Sequence, residues 1–125
     1  MDIGKTRDFY STLPPDHVCQ CGYCQNYIQE IKRSYPLVAD YLQSIGVDIE
    51  KPFEAIPLEP DEKGYIEYIG VQYIVLGNSD DFKRATVSDV KIDITQSHPS
   101  TNIKEEHFVI ELSSIYLRWV MEPPQ

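Results

Sequence analysis

Long apolar runs are missing from this chain of 125 residues, and so is any excess of positive charge. The opening Met1-Asp2-Ile3-Gly4-Lys5-Thr6-Arg7-Asp8 is charged and lacks the apolar stretch of a secretory signal. No later segment offers the roughly 20 apolar residues that a bilayer-spanning helix needs. None of Asn26, Asn78 and Asn102 opens a glycosylation sequon, Gly does not follow Met1, and no prenylation box is present. The chain is therefore expected to be cytoplasmic, with no membrane partner. Lys and Arg number 11 against 20 Asp and Glu, a formal charge of −9. The basic residues fall in scattered pairs, Lys32-Arg33 and Lys83-Arg84, so no stripe exists to follow a phosphate backbone, and nucleic acid is disfavoured. A neutral or cationic protein partner fits this charge. Repeats and low-complexity tracts are also absent, as are the spacing of an EF-hand loop and the Gly-x-Ser-x-Gly elbow of a hydrolase.

Cysteine is scarce too, at three residues, an odd number and too few for a disulfide framework. Folding must rest on a core, and a hydrophobic content of 42% with 25% charged residues is enough for one domain spanning residues 1–125. What little cysteine there is lies together. His17-Val18-Cys19-Gln20-Cys21-Gly22-Tyr23-Cys24 contains all three cysteines and one of the three histidines.

Along the chain, residues 1–18 have no sustained periodicity and carry Pro14-Pro15, which reads as an irregular arm. Residues 19–46 hold the cysteine cluster and two helices. Cys24, Tyr27, Ile28, Ile31 and Tyr35 recur at helical spacing. Pro36 then opens a second helix with Leu37, Val38, Tyr41, Leu42 and Ile45 on its apolar face, and Gly46 ends it. Residues 47–64, with Pro52, Pro57 and Pro60 among six carboxylates, form an acidic extended connector with room for one short edge strand. Residues 65–121 read as antiparallel sheet. Tyr65 to Leu76 is apolar on both parities, which predicts a central strand bent at Gly70. Val90, Ile92 and Ile94 alternate with polar residues, and the last strand pattern changes parity at Ser113-Ser114, where a break is expected. Pro123-Pro124 ends the fold. The fold class is α+β, with two short N-terminal helices packed on an antiparallel meander of three or four strands.

Three readings of the cluster follow. Cys19 and Cys21 stand one residue apart and Cys21 and Cys24 two apart, so with His17 they supply the four ligands of a tetrahedral zinc ion, although four ligands in eight residues strain the tetrahedron. His98 or His107 can supply the fourth ligand instead. In the second reading Cys21-Gly22-Tyr23-Cys24 starts a helix, where the dipole favours a thiolate, and Cys21 attacks while Cys24 resolves. This dipeptide resembles those of the thioredoxin and glutaredoxin superfamily over four residues, without the strand before or the parallel unit after. In the third the thiols are inert and the chain is a metal-free interaction domain. The leading expectation is a non-enzymatic binding or regulatory domain with a zinc site of Cys19, Cys21, Cys24 and His17, and with no catalytic residues. Thiol–disulfide exchange is the alternative. The run Cys21 to Glu54, with Cys-x-x-Cys-x-Asn-aromatic and Gly46-Val47-Asp48-Ile49-Glu50-Lys51-Pro52-Phe53-Glu54, resembles an uncharacterised family of small bacterial proteins, which implies a cytosolic bacterial setting and no particular activity.

The connector carboxylates and Asn78, Asp80 and Asp81 read as solvated turn formers. Tyr65, Tyr68, Tyr73 and Tyr116 lie in strand patterns, where packing is their expected use; any tyrosine left on the outer sheet face would form a protein-binding patch.

Overall fold

Residues 65–76 make the longest strand, and every other element is placed by it. A computed structural model describes residues 1–121. The elements in order are α1 (Ile3–Thr12), a 3-10 turn (Pro15–His17), α2 (Gly22–Ser34), α3 (Pro36–Ser44), β1 (Glu54–Pro57), β2 (Tyr65–Leu76), β3 (Ala85–Val87), β4 (Val90–Ile94), β5 (His107–Ser113) and β6 (Ile115–Arg118). All strand pairings are antiparallel, in the order β1-β2-β5-β4-β3, with β6 also on β2. The α+β class holds. The described residues form a sheet of six strands rather than three or four, and three α-helices rather than two. The expected end at Pro123-Pro124 lies outside the described residues. Among those residues no helix is long and apolar enough to cross a membrane.

β2 is apolar on both parities for a reason the pattern alone did not supply. Ile66 and Tyr68 face the helices, and so do Val71, Tyr73 and Val75, all in one buried cluster. The inward parity thus changes at Ile69-Gly70, where the register with β1 also shifts. On the neighbouring edge Ile110 and Leu112 of β5 and Ile115 and Leu117 of β6 face the same core, so parity changes there at Ser113-Ser114. Tyr68 pairs with Ile115 and Val71 with Leu112, which sets the two irregularities opposite each other. Each strand carries one residue more than strict alternation allows, and the ladder stays matched.

The predicted irregular arm is mostly α1. Asp2 caps it, its carboxylate accepting from Lys5 N at 2.9 Å, and Lys51 Nζ donates to the carbonyls of Tyr10 and Leu13 at its other end. The buried residues of α1 are Thr6 and Tyr10, not an apolar stripe. Tyr10 Oη donates to Ile74 O at 2.7 Å and accepts from Ile74 N at 2.9 Å, while Leu76 N donates to Thr6 Oγ1 and Asp2 N to Leu76 O. Side chains of α1 therefore take the place of a missing strand along the last residues of β2, where β1 no longer reaches.

α2 does the same for β6. Asn26, fully buried, donates to Arg118 O at 2.9 Å and accepts from Val120 N at 2.8 Å, and Tyr35 Oη accepts from Tyr116 N at 3.0 Å. Tyr27 Oη and Tyr73 Oη are hydrogen-bonded, and Tyr73 Oη donates to Ile49 O, so the interior tyrosines are paired. Gly46 at φ +88 ends α3, as expected, and its missing side chain lets Ile3 O and Arg7 N approach. The outer sheet face is half covered: Phe53 and Ile103 pack over Ile74, Leu76 and Val109, with Gln72 Nε2 donating to Ser97 O.

Candidate metal centre

The cysteines sit where the chain leaves the 3-10 turn and enters α2. Cys21 is the cap residue at φ −66 and ψ 160, an extended conformation that any residue adopts, and Cys24 lies in the first helical turn. Placing two helix-start residues just after Cys19 brings the three Sγ atoms within 4.8 Å of one another. Cys19 and Cys21 are exposed and Cys24 is half-buried. Cys21 N donates to Cys19 Sγ at 3.4 Å and Gln25 Nε2 donates to Cys19 O at 2.9 Å, so the segment holds its shape with its own bonds.

The helix around the cluster is fixed from below. Asn26 ties α2 to the end of β6, Tyr23 packs on Trp119 with ring centroids 5.7 Å apart, and Tyr23 Oη donates to Glu59 Oε1 at 2.9 Å. Gly22 lies against the Trp119 ring, which a side chain would have to touch. Asn26 was the residue missed by sequence reasoning. Its signal was a short polar side chain set among Tyr23, Tyr27 and Glu30 on a face that packs inward.

The three thiols are not equivalent. Burial pushes Cys21 up, but the Cys24 N–H, the Cys19 and Cys24 thiols and the Tyr23 N–H outweigh it, and Cys21 titrates below an ordinary thiol. No side-chain hydrogen bond caps α2, so these first-turn N–H groups act on the sulfur through the field of the helix start. Cys24 is pushed up, by burial first and then by donating its proton towards Cys21 and by the charge on Cys21 and Cys19. Of these two first-turn thiols, the exposed Cys21 is the more acidic and the half-buried Cys24 the less.

The expected ligand set is brought together in part. Cys19, Cys21 and Cys24 form the group, and His17 does not belong to it: it is exposed at the end of the 3-10 turn. His98 stacks edge-on against Phe53, with Nδ1 at 2.8 Å from Pro99 O. His107 pairs with Leu76 at the far end of β2 from Tyr65 and Arg118, and its nitrogens meet Thr101 Oγ1 and Glu105 O. Neither reaches the cysteines. The connector carboxylates behave as turn formers: Asp61 accepts from Lys63 N and Tyr65 N, and Asp48 from Glu50 N.

Three sulfurs suit a soft or borderline ion. Zinc–sulfur bonds of about 2.3 Å put neighbouring sulfurs about 3.8 Å apart around one ion, a spacing inside the 4.8 Å that bounds the observed separations. No known family, curated protein or solved structure matches the chain, and the site is read from its own chemistry.

Proposed function

We propose that the chain is a non-enzymatic binding or regulatory domain in which one zinc ion on Cys19, Cys21 and Cys24 locks the start of α2. The convergence of three sulfurs within 4.8 Å, on a helix already anchored to the sheet by Asn26, supports this reading. His17, at the end of the turn leading into Cys19, is the fourth ligand of the proposal. The ion would do structural work, drawing the exposed loop and the helix start into one unit. Protein purified without chelator should carry about one zinc per chain, falling to less than a tenth in Cys21→Ser. His17→Ala should keep the metal at lower affinity. Wild-type protein with less than about a tenth of an equivalent would end the zinc reading.

A second reading is supported by the contrast between an exposed Cys21 with a lowered pKa and a half-buried Cys24 with a raised one. In thiol–disulfide exchange the Cys21 thiolate attacks a partner's disulfide, one partner sulfur leaves as thiol, and Cys24 closes the intramolecular disulfide as it releases the second. Two electrons and two protons pass to the partner. A dithiol reduction potential in the oxidoreductase range, about −120 to −270 mV, on metal-free protein supports it, and failure to form a Cys21–Cys24 disulfide in a glutathione redox buffer ends it.

A further inference from the structure

Five of the eight large apolar side chains exposed among the described residues lie on one face: Ile56, Leu58, Tyr65, Ile69 and Tyr116. They gather on the outer side of the sheet, over the first half of β2. Ile56 pairs with Gly70, Leu58 N bonds to Glu67 O, and Tyr116 pairs with Glu67, so β1, β2 and β6 present them as one surface. The second half of this same face is covered by Phe53 and Ile103 of the chain itself. The first half has no such cover among the described residues.

Glu67 stands in the middle of the patch, in the row between Leu58 and Tyr116. Its carboxylate accepts from Ser114 Oγ at 2.9 Å, and its interaction with the nearby Tyr116 hydroxyl raises that tyrosine's pKa. It takes part in none of the ion pairs among the described residues. A carboxylate without a cation, ringed by aliphatic side chains and flanked by two exposed tyrosine rings, is a receptor for arginine. The guanidinium forks onto a carboxylate, stacks on aromatic faces, and sheds water more readily than an ammonium. Exposed Glu54, Asp61 and Glu62 border the surface against the basic Lys63 and Arg118 at its Tyr65 end, within an overall charge of −9. A second copy of this chain is a poor fit, because the acidic borders of two copies would meet.

We propose that the outer sheet face around Glu67 docks an arginine-bearing, apolar segment of a partner protein, with the arginine on Glu67 between Tyr65 and Tyr116. The full chain, isotope-labelled, can be titrated with a capped octapeptide of alternating leucine and arginine and followed amide by amide. Shifts should centre on Ile56, Leu58, Tyr65, Glu67, Ile69 and Tyr116. Glu67→Gln and, separately, Ile69→Ser should each weaken binding by roughly fivefold to tenfold, and a leucine–lysine peptide should bind more weakly than the arginine one. Asp80→Asn, in the turn beyond the other end of β2, should change affinity by less than about twofold. Equal losses in Asp80→Asn and Glu67→Gln would reduce the effect to general attraction and overturn the proposal. So would shifts spread over the helices, no binding at millimolar peptide, or concentration-dependent shifts of the patch without peptide, which would mark self-association.

Discussion

Cys21 and Cys24 belong to one helical turn and are pushed in opposite directions, which a thiol reagent can read directly. Metal-free protein labelled across pH should react first at Cys21 and last at Cys24. The same shifts set a sign for stability. A thiol whose folded pKa is depressed contributes stability that is complete above its unfolded value, about 8.5, and is lost as pH falls through the folded value. Metal-free protein should therefore gain stability as pH rises towards 8.5, and Cys21→Ser should lose that gain. Above about 8.5 the raised Cys24 reverses the trend, because its stabilising effect belongs to the neutral form. Denaturant midpoints on the two proteins at a series of pH values check both limbs. The pairing of cysteines was legible in the sequence because spacing alone places a helix start between them. The place of His17 outside the group of sulfurs was not, since spacing does not fix where the Pro15–His17 turn leaves that residue.

At the scale of elements, α2 and α3 were legible because Tyr27, Ile31, Val38 and Leu42 are apolar at helical spacing and end up buried. α1 was not, because it docks through a threonine and a tyrosine hydroxyl that look like surface groups in a sequence. The expectation for α1 is strict. Tyr10→Phe keeps the ring but leaves Ile74 N–H and C=O without their partner, and should cost about 2–4 kcal/mol in chemical denaturation. Asn26→Ala strips the bonds to Arg118 and Val120 and should cost a similar amount, about 2–4 kcal/mol, with lower zinc affinity if the centre forms on a fixed helix. The short β3 escaped the sequence for a different reason. Its hairpin turn uses Ser88 at φ 52 and Asp89 at φ 65, positions that more often announce themselves as Asn-Gly.

For the molecule as a whole, the interior is rich in tyrosine, and alkali should expose this. Tyr10, Tyr27 and Tyr73 are buried and their hydroxyls are pushed well above the usual value by that burial. Each raised group stabilises the fold fully below its unfolded pKa of about 10, and that contribution fades as pH climbs towards the folded value. The tyrosine contribution should be level below pH 10 and then fall by about 1.4 kcal/mol per pH unit for each of the three, seen as a shared shift of denaturation midpoint and tyrosine absorbance. Sequence reasoning reached the α+β class and the break at Ser113-Ser114, yet undercounted the strands, because Phe108 to Trp119 reads as one strand pattern where β5 and β6 are separate, and Ala85–Val87 is too short to show a period.

Those facing irregularities have a consequence for how the gene can change. Removing Ile69 alone, or Ser114 alone, would leave one strand a residue out of step with its neighbour and force half of the pairing to slide. Removing both restores plain alternation on each side, with the same side chains pointing inwards. The double deletion should fold where either single one fails, so the two positions can be lost only as a couple.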